Sequence, residues 1–223
     1  MSTPDRVLIV SAFAPELAPL KRWLGGRAAR KFRARIHTVP VGIGAIDAAA
    51  GTAMAIARTS PRVVLFVGTA GSYGPRPAIG EVAIAARIRL VSTAAVRAQA
   101  YLPKPMPAIE ASHPSLRREL LLSAGLIGEG VDVAAPLGIT TSTGLAVLIA
   151  KTTHAAVENL EVFGVARAAT HARVPFGAIL GITNRVGPKA HVQWLEHEAS
   201  ASSRACAVVA AWLEDRFDRS ARG

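Results

Sequence analysis

Residues 63–74 read Val-Val-Leu-Phe-Val-Gly-Thr-Ala-Gly-Ser-Tyr-Gly and give the strongest local indication of architecture in the chain. The first five residues form an unbroken apolar run, which is typical of a strand buried on both faces of a parallel sheet. The glycines from Gly68 to Gly74 let a ligand approach the backbone, whose N–H groups can donate to hydroxyls or an anion. Ligands in open α/β sheets bind at the carboxyl ends of strands. The stretch therefore predicts a central strand that ends in a turn at a binding site.

Strand and helix patterns alternate on both sides of this run. Further strands are predicted at residues 6–11, 34–41, 80–88, 137–142, 155–159 and 175–183, and helices at 15–24, 45–59, 116–123, 161–173 and 195–217. The proline-rich stretch 98–114 has no period and predicts a long surface loop. Strands that alternate with helices indicate an α/β fold. We expect one domain over residues 1–223, with a central, mostly parallel, twisted sheet flanked by helices.

The composition narrows the class of protein. Hydrophobic residues make up 51% of the 223 residues, enough for a sizeable core, and no window holds the roughly 18 consecutive apolar residues of a membrane span. The start of the chain lacks a signal-peptide pattern, and the single Cys206 excludes an intramolecular disulfide. The histidines have no metal-ligand spacing except for the lone pair His191 and His197, which would not share a helical face. We expect a cytoplasmic protein without a membrane partner, a metal or another cofactor.

The charge is strongly basic, with 26 Lys and Arg against 15 Asp and Glu, a formal net charge of +11. Such a balance can indicate nucleic acid or anionic substrates as partners. The arginines are dispersed, however, and only 5% of residues are aromatic, which gives no stacking platform for bases. Specific nucleic-acid binding is therefore not expected. A non-catalytic nucleoside or nucleic-acid binder stays open as an alternative.

Gly42-Ile-Gly44 lies between a predicted strand and a predicted helix, where a dinucleotide-binding fingerprint would stand. The fingerprint requires a third glycine three positions later, and Asp47 occupies that position. A carboxylate there would face the pyrophosphate. The pattern favours glycines that shape a strand-to-helix turn.

Three blocks of the sequence resemble methylthioadenosine/S-adenosylhomocysteine nucleosidases and futalosine hydrolases of the nucleoside phosphorylase superfamily. They contain Ser11-Ala-Phe-Ala-Pro-Glu16, then Val41-Gly-Ile-Gly44 through Val67-Gly-Thr-Ala-Gly71, then Val157-Glu-Asn-Leu-Glu161 through Gly181-Ile-Thr-Asn184. The resemblance covers nearly the whole chain and is weakest at residues 90–130. It implies a nucleoside phosphorylase-like fold, a purine nucleoside as partner and a homo-oligomer, a dimer or larger.

The resemblance implies two catalytic glutamates. Cleavage of an N-ribosidic bond passes through an oxocarbenium-like sugar, so the site must stabilise positive charge. Glu161 would accept hydrogen bonds from ribose hydroxyls near that charge, and Glu16 would be the general base for water. The structural alternatives are a solvated surface glutamate for Glu16 and a helix N-terminal charge for Glu161.

The resemblance also implies a set of substrate contacts. These are Gly68, Thr69, Ala70, Gly71, Thr143, Gly144, Asn159, Leu160, Lys189 and Trp194. Lys189 stands where futalosine hydrolases have an arginine, and a lysine cannot pair bidentately with a carboxylate. Trp194 can line the pocket or anchor the last helix to the core.

Water is the expected nucleophile. Phosphorylases of the superfamily hold phosphate partly with an arginine two residues before the Gly68 position, and this chain has Phe66 there. A phenylalanine cannot pair with an anion, and Glu16 would repel phosphate. The resemblance therefore implies a hydrolase, that is, a nucleosidase.

Asn184 decides which base is expected. In adenine-specific nucleosidases the corresponding residue is an aspartate, which can deliver a proton to the purine. An amide has no acidic proton but can donate a hydrogen bond to a 6-oxopurine. The favoured substrate is therefore futalosine, which carries hypoxanthine, with a role in menaquinone biosynthesis. An adenine-releasing methylthioadenosine/S-adenosylhomocysteine nucleosidase is the nearest alternative.

Overall fold

A computed structural model describes residues 5–220. The first four residues, part of the start in which we find no signal-peptide pattern, lie outside this range. The helices are α1 (Ala14–Gly25), α2 (Ala45–Thr59), α3 (Thr93–Val96), α4 (Pro114–Ser123), α5 (Thr143–Thr153), α6 (Val162–His171) and α7 (Ala190–Ser220). The strands are β1 (Val7–Ser11), β2 (Ile36–Pro40), β3 (Val63–Ser72), β4 (Val82–Val91), β5 (Ile109–Ala111), β6 (Val131–Pro136), β7 (Val157–Glu158) and β8 (Phe176–Arg185). None of the helices in residues 5–220 is long and apolar enough to cross a membrane.

The eight strands form one mixed sheet. Strands β2, β1, β3 and β8 are parallel neighbours in that order, as are β4 with β6 and β6 with β7. Three pairs are antiparallel: β3 with β7, β4 with β8, and β4 with β5. Because β3, β8, β4, β6 and β7 pair in a closed cycle, part of the sheet is a ring. The α/β domain with flanking helices is confirmed, but the expectation of a mostly parallel sheet is corrected to a mixed, partly closed one.

Long, irregular strands close the ring. Both β3 and β4 are ten residues long, and their registers shift at Ala70/Gly71 and at Ala85/Ile88. Such bulges bend a strand and increase its twist, so that its two halves can pair with different neighbours. The two-residue β7 then bridges β3 and β6.

The run at the start of β3 is buried on both faces, as predicted. Val64 and Phe66 pack in the core beneath α2 and α6, whereas Leu65 and Val67 pack in the core beneath α1, α4 and α7. All four are fully buried. Side chains that alternate between two apolar layers explain why this strand is continuously apolar.

Strand β3 does not end at Gly68, as the sequence suggested, but continues to Ser72. The glycines serve close packing. A Cβ at Gly68 would lie 2.8 Å from the Phe66 ring, and one at Gly71 would lie 2.7 Å from the amide nitrogen of Asn184. The extended chain is retained because this half of β3 pairs with both β8 and β7.

The predicted strand at 137–142 is also wrong. The strand is β6, which ends at Pro136, and residues 137–142 are irregular chain before α5, a helix that was not predicted. Leu137 and Ile139 are 72% and 61% exposed, so the apolar residues that suggested a strand are not core. The predicted loop 98–114 contains β5, which pairs with β4, and the start of α4.

Candidate active site

A cavity of about 330 Å³ lies at the carboxyl ends of β1, β3 and β8, which are parallel neighbours in the sheet. Nine of the thirteen predicted site residues line it: Glu16, Thr69, Ala70, Gly71, Asn159, Leu160, Glu161, Asn184 and Trp194. They come from five elements far apart in sequence. The fold therefore brings most of the predicted site together.

Glu16 lies in the first turn of α1 and is 3% exposed. Its Oε1 accepts from the main-chain N–H of Thr69 (3.0 Å) and from the Thr69 hydroxyl (3.2 Å), and its Oε2 accepts from the N–H of Ala12 (3.2 Å). Burial, with the nearby charge of Glu161, raises the pKa of Glu16 to about 8. The alternative of a solvated surface glutamate is therefore wrong.

Glu161 directly precedes α6 and is 6% exposed. Its Oε1 accepts from the N–H of Gly44 (2.9 Å), at the start of α2. Gly44 has a φ of 85°, a conformation that favours glycine, so the Gly42-Ile-Gly44 turn supplies a main-chain donor to the carboxylate. Burial raises the pKa of Glu161. The side chain caps no N–H of its own helix α6, and it lies at the N-terminus of α2 instead.

Asn159 links Thr69, which holds Glu16, to the main chain at Glu161. Its Nδ2 donates to the main-chain oxygen of Thr69 (3.0 Å), and its Oδ1 accepts from the N–H groups of Glu161 (3.0 Å) and Val162 (2.8 Å). The side chain thus caps α6 and holds it against β3. Although Asn159 lines the cavity, these contacts give it a structural role in addition to any contact with substrate.

Asn184 lies near the end of β8, beside Gly71, and is 8% exposed. Its Oδ1 accepts from the Thr183 hydroxyl (2.7 Å), and its Nδ2 donates to the main-chain oxygen of Arg185 (3.0 Å). A side-chain amide carries two N–H groups. Among the hydrogen bonds of residues 5–220, the second amide N–H of Asn184 has no protein acceptor, and this side chain lines the cavity.

An aromatic wall closes one side of the cavity. The centroid of the Trp194 ring lies 6.1 Å from that of Phe13 and 6.1 Å from that of His191. The His191 and Trp194 rings are nearly parallel. The indole Nε1 donates to the Thr69 hydroxyl at 3.2 Å. Trp194 therefore both lines the cavity and ties α7 to β3, so the two roles considered for it are not exclusive.

Eight further lining residues were not among the predicted ones: Ala12, Phe13, Ile43, Ile139, Glu158, Thr183, Ala190 and His191. Glu158 is the most informative of them. It is buried, and its carboxylate accepts from the Tyr73 hydroxyl (2.5 Å) and from the N–H of Thr140 (3.0 Å). Its place beside Asn159 in a short strand could have indicated it, whereas Ile139 and His191 gave no local signal.

Four predicted contacts lie outside the cavity lining and are corrected accordingly. The Phe66 ring fills the space that a Cβ at Gly68 would need. Thr143 and Gly144 begin α5 and are exposed to solvent. Lys189 is also exposed, since it immediately precedes α7 at the surface. Separately, within the described chain no three His, Cys, Asp or Glu side chains are grouped in a way that could hold a metal ion.

Comparison with known proteins identifies the family of the chain. The sequence pattern of the phosphorylase superfamily matches residues 6–214. No curated protein matches the chain.

Several solved structures share the fold at low identity. A futalosine hydrolase mutant of Helicobacter pylori is 16% identical, with a TM-score of 0.82 over 95% of this chain and 99% of that one. The methylthioadenosine/S-adenosylhomocysteine nucleosidase of Helicobacter pylori with butyl-thio-DADMe-Immucillin-A is also 16% identical (TM-score 0.84, 96% and 100% covered). The nucleosidase of Neisseria meningitidis with methylthio-immucillin-A is 20% identical (TM-score 0.80, 95% and 99% covered). With the sequence match over almost its whole length, the chain belongs to the phosphorylase superfamily.

Proposed function

We propose that this protein is a nucleosidase that cleaves the N-ribosidic bond of a purine nucleoside with water. The observation that carries the proposal is the pair of buried carboxylates, Glu16 and Glu161, that face one cavity. Both are held by main-chain N–H groups, so their positions do not depend on a ligand. The three solved structures compared above are two nucleosidases and a futalosine hydrolase mutant, which supports this class of reaction.

Each glutamate has a distinct task in the reaction. Glu16 accepts a proton from water while the water oxygen bonds to C1′ of the ribose. The C1′–N bond breaks, and its electron pair leaves with the base. Glu161 accepts from the ribose hydroxyls and stabilises the positive charge on the sugar. A pKa of about 8 for Glu16, caused by burial and by the charge of Glu161, suits a general base that works near neutral pH.

Hydrolysis is favoured over phosphorolysis by the charges around the cavity. Its lining in the described chain includes no Lys or Arg, and Phe66 is fully buried and is not part of that lining. A phosphate ion would have to bind beside two carboxylates without a fixed cation to neutralise it. Water has no such requirement.

The base we propose is a 6-oxopurine, with futalosine as substrate and hypoxanthine as product, in menaquinone biosynthesis. The free N–H of the Asn184 amide can donate to the purine, and the aromatic wall of Phe13, His191 and Trp194 suits an aromatic 5′ substituent. The alternative is an adenine-releasing nucleosidase, because the similar structures include enzymes of both kinds.

We further propose that the protein acts in the cytoplasm as a homo-oligomer, a dimer or larger. Apolar side chains that line the cavity, or stand within three positions of a lining residue, face solvent: Ile43 is 67% exposed, Ile46 78% and Leu137 72%. Exposed apolar groups in one region favour burial against another chain. Light scattering after size exclusion tests this, with Ile46→Glu expected to dissociate the assembly and a monomeric wild type contradicting it.

The experiment that tests the reaction is a panel of purine nucleosides, incubated with chelator and with or without phosphate, followed by chromatography of the released base. We expect free base and free sugar at the same rate in both buffers. Glu16→Gln should abolish most turnover with little loss of nucleoside binding, whereas Glu214→Gln, on the exposed face of α7, is the matched control. Strict dependence on phosphate would indicate a phosphorylase. Binding without turnover would favour the non-catalytic alternative.

A further inference from the structure

Trp194 and Glu16 are joined by two consecutive hydrogen bonds through the side chain of Thr69. The indole Nε1 donates to the Thr69 hydroxyl (3.2 Å), which donates to Oε1 of Glu16 (3.2 Å). An indole nitrogen can only donate, and an ionised carboxylate can only accept. When Glu16 is ionised, as it must be to act as base, both bonds therefore have the same direction, from Trp194 towards Glu16.

We propose that Trp194 is a positioning residue for the general base, because its N–H fixes the Thr69 hydroxyl so that the single hydroxyl proton points at Glu16. The inference rests on the proposed hydrolysis. Without the indole donor, the hydroxyl can rotate and donate to water in the cavity instead. The main-chain N–H of Thr69 stays in place in either case, since it belongs to β3 and Asn159 holds the adjoining carbonyl.

The surroundings of Trp194 hold its ring in the orientation that this requires. The indole is half-buried in the first turns of α7, between the Phe13 and His191 rings. Packing between two rings would be satisfied by phenylalanine as well. Phenylalanine has no ring N–H. Trp194→Phe therefore removes the hydrogen bond to Thr69 and keeps an aromatic ring in the wall of the cavity.

The sign of the effect follows from the contacts of Glu16. The Thr69 hydroxyl stabilises the ionised carboxylate and lowers the pKa of Glu16, against burial and the charge of Glu161, which raise it. Loss of the indole donor is therefore expected to raise this pKa further. The other titratable groups near Glu16 are Glu158 and His191, which line the same cavity, and Cys206 of α7, whose thiol donates to the main-chain oxygen of Glu16. Trp194→Phe leaves all of them in place.

The test compares pH profiles. We expect Trp194→Phe to raise the apparent pKa of the acidic limb of kcat by about half a unit, which lowers kcat about threefold at pH 7. Above about pH 9.5 the two rates should converge, because Glu16 is then ionised in both proteins, whereas a general structural defect would lower the rate at every pH. KM should change by less than about twofold. Trp23→Phe, in α1 but outside the cavity lining, is the matched control.

Variants of Thr69 complete the test. Thr69→Val should raise the pKa in the same direction, and adding Trp194→Phe to it should produce no further shift, because both changes remove one pathway. Thr69→Ser keeps the hydroxyl and should shift the pKa of Glu16 less than Thr69→Val does.

An infrared titration measures the same pKa without turnover, from the protonated-carboxyl band that Glu16→Gln removes. An unshifted band in Trp194→Phe, or additive shifts in the double variant, would overturn the proposal. A change in KM alone would also overturn it and leave Trp194 as a wall of the site. A wild type that cleaves no nucleoside would refute the proposed function, and the infrared result would still decide whether Trp194 affects the pKa of Glu16.

Discussion

Replacement of Glu16 by glutamine should change how the stability of the protein depends on pH. The pKa of Glu16 is raised from 4.5 to about 8, first by burial and then by the charge of Glu161. Between these two values the folded chain binds a proton that the unfolded chain has lost, so the unfolding free energy falls as pH rises. The contribution of neutral Glu16 is fully present below pH 4.5 and is lost as pH rises through the folded-state pKa.

The size of the effect follows from the shift. At about 1.36 kcal/mol per pKa unit, this single group should lower the unfolding free energy of the wild type by about 4 kcal/mol between pH 5 and pH 9. Glutamine does not titrate, so Glu16→Gln should lack this loss. The variant has a cost of its own, because an amide NH₂ in place of one carboxylate oxygen leaves a buried main-chain N–H of Ala12 or Thr69 without its acceptor, at about 1–3 kcal/mol.

The two effects predict a crossover in stability. Near pH 5 the variant should be equal to the wild type or less stable, and at pH 9 it should be more stable. Urea unfolding followed by circular dichroism at pH 5, 7 and 9, at one protein concentration, measures the difference. Glu214→Gln, at an exposed position of α7, should follow the wild type at each pH. Parallel curves for Glu16→Gln and wild type would show that Glu16 is not a buried group with a raised pKa.

Four further predictions concern activity and binding. The rate should fall as pH decreases below about 8, since Glu16 must lose its proton to act as base; a pH–rate profile that is flat between about pH 6 and 9 would contradict this role. Glu161→Gln should raise KM and lower kcat together in steady-state assays, because one carboxylate binds the ribose and stabilises its charge. Asn184→Asp should shift the ratio of kcat/KM for adenine nucleosides to kcat/KM for 6-oxopurine nucleosides about tenfold towards adenine. The new carboxyl would face the Arg185 carbonyl, which favours the protonated form, and that proton can be given to adenine. An unchanged ratio would mean that Asn184 does not recognise the base. Labelled RNA or DNA should bind weakly to the basic surface and dissociate as salt rises in fluorescence anisotropy, and tight binding in moderate salt would favour the nucleic-acid alternative.

Local patterns were sufficient for the elements whose signals lie within one segment. Helix α2 has the predicted bounds of residues 45–59, because its apolar spacing, the preceding glycine turn and the Ser60-Pro61 stop are all adjacent in sequence. The first half of β3 was equally predictable from sequence, since burial on both faces requires an unbroken apolar run. The resemblance indicated Glu16, Glu161 and Asn184, which line the cavity, and also Lys189, which does not.

Tertiary structure decided what depends on residues far apart in sequence. The closed ring exists because β3 and β4 bend and a two-residue strand completes it, and the pairing of such strands leaves no periodicity to detect. The raised pKa of Glu16 is likewise not a property of its own segment, since burial beneath α7 and the charge of Glu161 cause it. The sequence alone thus specified which chemical groups the predicted site contains, because side-chain identity is local. Their contacts, burial and protonation were set only by folding, because these depend on which distant segments pack together.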